Sequence, residues 1–130
     1  MRHDLLSTIA GGLLILEGAA IAVLAVAQGG AIIGGDTSAL ESAIALLVLT
    51  FGGAAAVVAF GIATIRARSW GRSGGIVTQL LILAVAFGAA TGAFAHPLLG
   101  LQLAIPAIVT LVLLFAAVRQ AGRDATPEPR

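Results

Sequence analysis

Cysteine, lysine and tyrosine are all absent from this 130-residue chain. Without cysteine there are no disulfides and no thiolate metal ligands, and no redox compartment can be read. Without lysine, the basic residues reduce to seven arginines, and a net charge of +1 leaves no footprint for nucleic acid. Charged residues make up 10% of the chain against 59% hydrophobic, and mean hydropathy is +1.09. A water-soluble domain of this size keeps much of its surface in water, and there are too few polar residues here to cover one. A soluble globular fold is excluded, and the bilayer is the natural solvent.

Four apolar stretches carry the architecture. A helix needs roughly 20 residues to cross ~30 Å of hydrocarbon. The first stretch, 5–28, is apolar apart from Ser7, Thr8, Glu17 and Gln28, with Asp4 placed to cap it. Ala25-Val26-Ala27 has the small-x-small pattern of a signal-peptide cleavage site, but the run exceeds the usual ~7–15 apolar residues and contains an acid, so it reads as a span. Gly29 to Thr37 reads as a glycine-rich turn. Ser38-Ala39-Leu40-Glu41 then has the spacing of a capping box that opens the second span, 39–65.

Along that second span Ala39, Ala43, Leu46, Thr50, Gly53, Val57, Gly61 and Thr64 recur at three- and four-residue steps, a mostly small face suited to close approach in lipid. The third span, 74–95, carries Val77, Leu81, Ala84, Gly88 and Gly92 on one stripe, with Gln79 nearly opposite Gly88, so polar or small residues lie on two faces and each face is expected to meet another helix. The fourth, 97–118, opens on His96-Pro97, with proline in a first turn where its missing N–H costs little, and Pro106 inside it predicts a kink. Arg119, Gly122 and Arg123 read as its end, and 124–130 as a flexible tail. The expected fold class is all-α: a polytopic membrane protein whose four transmembrane helices form two hairpins in a bundle.

Between the second and third spans lies Arg66-Ala67-Arg68-Ser69-Trp70-Gly71-Arg72. With four spans, all seven arginines fall on one side, opposite Asp36, Glu41 and His96. The positive-inside rule then places both termini and this loop in the cytoplasm, in a multi-pass protein of the cytoplasmic (inner) membrane. Trp70 beside the arginines fits an interfacial anchor, and Arg66, Arg68 and Arg72 suit anionic lipid headgroups at about 1 kcal/mol each.

Glu17 is the chemical exception. About 12 residues into the first span, it lies near the bilayer midplane at ~1.5 Å per residue. An ionised carboxylate there costs on the order of 3 kcal/mol, whereas the protonated form donates a hydrogen bond. Thr50 and Thr110 lie at comparable depth and Gln79 somewhat nearer the cytoplasm, so these three are its candidate partners. The same acid supports two readings, a proton- or cation-binding group in a pathway and an internal polar tie that fixes helix packing. No second ionisable residue lies in a span to form a relay.

The remaining candidates favour no chemistry. His96 reads as a helix-start residue and His3 as an exposed N-terminal one, and no convergent set of metal ligands is legible. The glycine-rich stretch lacks an adjacent lysine or arginine and fails as a phosphate cradle. No nucleophile, base and acid can be assembled, so an enzyme is not expected, and no cofactor is implied.

Arg68-Ser69-Trp70-Gly71-Arg72, followed by Val77, Gln79, Leu80 and Leu81, resembles the central segment of a group of small, uncharacterised four-helix integral membrane proteins from actinobacteria, whose members also tend to carry a first-span glutamate, matched by Glu17. The likeness covers the layout of most of the chain and departs where those proteins have more tryptophan and proline in spans three and four. It implies location and topology only. Small multidrug-resistance transporters are similar in size and in one first-helix glutamate, but they have aromatic drug sites and little charge bias, unlike this chain. The expectation is a structural or accessory membrane protein that packs on a partner membrane protein or on itself, with the bilayer as its other partner. The alternative is a small proton-coupled transporter using Glu17.

Overall fold

A computed structural model describes residues 2–125. It is all-helical: α1 (Arg2–Ile33), α2 (Leu40–Ile65), α3 (Ser69–Thr91) and α4 (Pro97–Ala125). Each helix is long and apolar enough to cross a membrane. At ~1.5 Å per residue the 32 residues of α1 extend about 48 Å, beyond the ~30 Å hydrocarbon, so it tilts or projects into the headgroups. α1 packs on α2 and α4, and α3 packs on the same two, which makes α1 and α3 diagonal partners across the bundle.

Residue pairs give the sense of the packing. Gly11 lies against Gly61 and Ile65, and Gly18 against Ala54 and Val58, so α1 and α2 run antiparallel. Gly71 against Ala63 with Gly74 against Phe60, and Gly75 against Leu114 with Gly100 against Ala86, give the same sense for α2 with α3 and α3 with α4. A cavity of about 310 Å³ is bounded by Ser7, Ala67, Arg72, Ala117 and Asp124. The start of α1, the α2–α3 connection and the end of α4 therefore share one end of the bundle, and with them Arg66, Arg68, Arg72, Arg119 and Arg123.

The interior is built from small side chains. Among the described residues seven of the ten buried hydrophobic ones are alanine, and the others are Leu14, Val57 and Leu114. Large apolar side chains point outward instead, including Val23, Leu49 and Phe87, each 70% or more exposed. In water this would forfeit on the order of 2 kcal/mol for each such side chain left uncovered. In hydrocarbon it costs nothing, and small interior residues let backbones approach closely. Gly11 and Gly61 show the approach: a Cβ on either would come within 2.6–2.7 Å of the other's carbonyl oxygen.

Several local expectations are corrected. α1 begins at Arg2, so Asp4 lies inside its first turn rather than capping it. The turn is shorter than the glycine run, because Gly29 and Gly30 are helical; helix is the conformation that satisfies backbone groups in lipid. α1 closes instead at Gly35, whose φ of 75° lets the amides of Gly35 and Asp36 reach the carbonyls of Ile32 and Ala31. No capping box forms at Ser38: the residue before α2 is Ala39, without a side-chain cap, and the Ala39 amide donates to Thr37 Oγ1 at 3.3 Å.

α2 ends in the same closure as α1. The Ala67 and Arg68 amides reach the carbonyls of Thr64 and Ala63, but the left-handed position is filled by Ala67, with φ of 59°. α3 starts at Ser69 and ends at Thr91, displaced toward the arginines from 74–95, so Trp70 and Arg72 are helical. α4 runs unbroken through Pro106 and past Gly122 to Ala125. The flexible-tail reading fails at Asp124 and Ala125, and 126–130 lies outside the described residues, as does the side chain of His3.

Candidate functional site

Stacked layers run along the bundle axis. One is made of Leu14, Gly75 and Leu114: a Cβ on Gly75 would come 2.8 Å from Leu14 and 3.0 Å from Leu114, so glycine is what lets three helices meet. Three residues on in α1 and four in α3, and four back in antiparallel α4, stand Glu17, Gln79 and Thr110. Helical spacing keeps these on the same faces as the layer before. A polar layer therefore sits directly above a fully apolar one.

Glu17 is at the midpoint of α1, and both of its carboxyl oxygens are engaged. Gln79 Nε2 donates to Oε2 at 2.5 Å, and Thr110 Oγ1 donates to Oε1 at 3.1 Å. Gln79 and Thr110 are 0% and 1% exposed, and Glu17 is partly covered. The bond to Gln79 joins the two diagonal helices. Nothing among the described residues donates to Gln79 Oε1, which leaves one buried acceptor beside the carboxyl.

Thr50 is not part of this cluster. Its hydroxyl donates to the Leu46 carbonyl of its own helix at 2.7 Å. Thr64, Thr78 and Thr91 make the same bond four residues back, and Thr110 instead reaches across the bundle.

The predicted packing faces hold only in part. On α2, Val57, Gly61 and Thr64 are buried, while Leu46 and Gly53 are exposed, as is Ala39 just before the helix. On α3 the stripe Val77, Leu81, Ala84, Gly88 faces outward, and the buried positions are Gly71, Gly75, Gln79 and Ala86. Gly75 is the residue that sequence reasoning missed. Its signal was the four-residue step Gly71, Gly75, Gln79.

At the arginine-rich end Trp70 is half exposed and meets Phe60 edge-on, with ring centroids 6.1 Å apart and planes at 69°. The three arginines of this stretch differ. Arg66 and Arg68 are exposed, whereas Arg72 donates to the Ala67 carbonyl at 3.0 Å and braces the connection. His96 is exposed, and its carbonyl accepts the Gly100 amide at the start of α4. No group of three His, Asp or Glu comes together among the described residues.

Comparison with protein-family models, curated proteins and solved structures finds no match. The functional reading rests on the geometry alone. Chemically, the Glu17 layer joins three helices through one side chain, and the cleft between α2 and α3 is lined by other residues.

Proposed function

We propose that this chain is a structural or accessory component of the cytoplasmic membrane, inserted as two helical hairpins with both termini and the α2–α3 connection in the cytoplasm. Its outward faces pack against a partner membrane protein or a second copy, and Glu17 is an internal tie. The observation that carries this reading is the use of both Glu17 carboxyl oxygens by Gln79 and Thr110 of the same chain. An acid satisfied within its own bundle serves packing, and the surrounding layers supply no second acid or base for a relay. Gathering five described arginines at one end supports the orientation.

The test is extraction of the tagged protein from its native membrane in mild detergent, with mass spectrometry of what stays bound at stoichiometric levels. A defined larger complex or a stable homo-oligomer is expected, unchanged by Glu17→Gln. Proton flux in liposomes that Glu17→Gln abolishes, in a protein that still folds, would replace this reading with a proton-coupled transporter.

A further inference from the structure

α2 and α3 are in close contact near their connection, at Gly71 and Gly74, and then leave between them a cleft of about 750 Å³. One wall runs along α3 from Ser73 to Val85, the other along α2 from Phe60 to Gly53, and Ile21 and Leu103 form the floor. The one hydroxyl of that wall below Ser73, on Thr78, is already donated to the Gly74 carbonyl at 2.8 Å, so the cleft offers hydrocarbon contact and little else.

Its dimensions select the occupant. From Ser73 to Val85 is about 18 Å at ~1.5 Å per residue, close to the ~15 Å depth of one leaflet. Spread over that length, the 750 Å³ open to the centre of a water-sized sphere gives a width of about 6–7 Å, or roughly 9–10 Å between the wall surfaces once a ~1.4 Å radius is added on each side, against ~10–12 Å for a helix with its side chains. A transmembrane helix does not fit without spreading the walls, and an acyl chain does. The charge at the mouth selects the headgroup. Trp70 lies one turn before Ser73 and Gly74 on the same face of α3, with Phe60 of the opposite wall against its ring. Arg66 and Arg68, both exposed, belong to the connection that joins the two walls at this end, and α3 starts at Ser69 without a side-chain cap, so its first amides add partial positive charge.

We infer that the α2–α3 cleft holds the acyl chain of an anionic phospholipid whose phosphate is met by Arg66 and Arg68 at the arginine-rich end. Arg72 braces the loop instead. This rests on the chain being embedded in a bilayer, and not on its having a protein partner.

Trp70, the sole tryptophan, is a native reporter. The intact protein is reconstituted in phosphatidylcholine vesicles carrying increasing mole fractions of either phosphatidylglycerol or phosphatidylcholine brominated near the top of the acyl chain. Quenching of Trp70 is expected at several-fold lower mole fraction of the brominated phosphatidylglycerol, on the order of fivefold for each arginine engaged. Arg66→Gln with Arg68→Gln brings the two lipids toward parity. Gly53→Leu, at a position where a Cβ meets nothing within 4 Å, fills the cleft and weakens quenching by both. Helix content and thermal unfolding of each variant are checked in parallel. Equal quenching by the two lipids in the unmodified protein, or a preference that the arginine pair leaves unchanged, overturns the assignment.

Discussion

Replacing Glu17 by alanine removes two bonds between helices and strands what they served. Interhelical hydrogen bonds in membranes average about 0.6 kcal/mol and reach ~1.7, so the two bonds account for roughly 1–3 kcal/mol. Gln79 is 0% exposed, and losing its partner adds the cost of a buried unsatisfied amide, about 1–3 kcal/mol. The two ranges overlap in origin, so the expected loss for Glu17→Ala is about 2–4 kcal/mol and not their full total. Glu17→Gln differs in kind. Its amide keeps an oxygen for one donor and brings an N–H to the unpartnered Gln79 Oε1, so it should cost less than about 1 kcal/mol.

The assay is reversible unfolding in mixed micelles titrated with a denaturing detergent, run as a double-mutant cycle of Glu17→Ala and Gln79→Leu. A coupling of about 1 kcal/mol or more is expected, since the two side chains share one bond across the diagonal. Coupling near zero would refute the tie, as would Glu17→Gln losing as much as Glu17→Ala. The second outcome would mean that the negative charge, and not the hydrogen bonding, is what the bundle uses.

Gly61→Ala places a methyl 2.7 Å from both the Gly11 carbonyl oxygen and the Ile15 side chain, and about 1–3 kcal/mol of overpacking should appear in the same titration. Gly88→Ala, with open space around the new methyl, should be neutral or slightly stabilising. Ala67→Gly relieves a left-handed alanine in the α2 closure and should gain about 1 kcal/mol, read as a rise in melting temperature. Because the chain has no cysteine, Asp36→Cys and Arg68→Cys report sidedness in intact cells. An impermeant maleimide should label the first and not the second, and the reverse pattern would turn the topology over.

Four segments were legible because length and hydropathy are all that a span requires, and the arginines were legible because they cluster in sequence as well as in space. Depth alone named the Glu17 partners, and depth is half of the information. Thr50 shares the depth of Glu17, but its hydroxyl is served by Leu46 one turn back; Gln79 has no such local outlet and turns inward. The α3 stripe from Val77 to Gly88 was misread because a row of apolar residues marks the interior only when the solvent is water. In lipid the interior is marked by what permits approach, and the row that mattered was Gly71, Gly75, Gln79. The capping box did not form because α2 starts only at Leu40, after Ala39, and the hydroxyl that accepts a backbone amide here is that of Thr37, from Ala39.

A bundle with an alanine interior has a register problem. The contacts of interior alanines such as Ala10, Ala107 and Ala117 change little if one helix slides by a turn of ~5.4 Å, and lipid supplies no hydrophobic penalty for doing so. The Glu17 layer supplies that penalty. Sliding α3 one turn toward the arginine-rich end brings Gln79 level with Leu14 and Leu114, and sliding it the other way brings Gly75 level with Glu17. Either slip breaks the Gln79–Glu17 bond and strands the amide and one carboxyl oxygen, while Thr110 keeps its bond from α4 to α1, and the first also drives a large side chain into the space that Gly75 leaves open. A single buried polar contact is attested as a way to specify register in helical assemblies. Here the apolar layer admits one alignment by size and the polar layer above it admits the same alignment by hydrogen bonding. Two independent constraints one turn apart hold α1 and α3 in place although they are not neighbours.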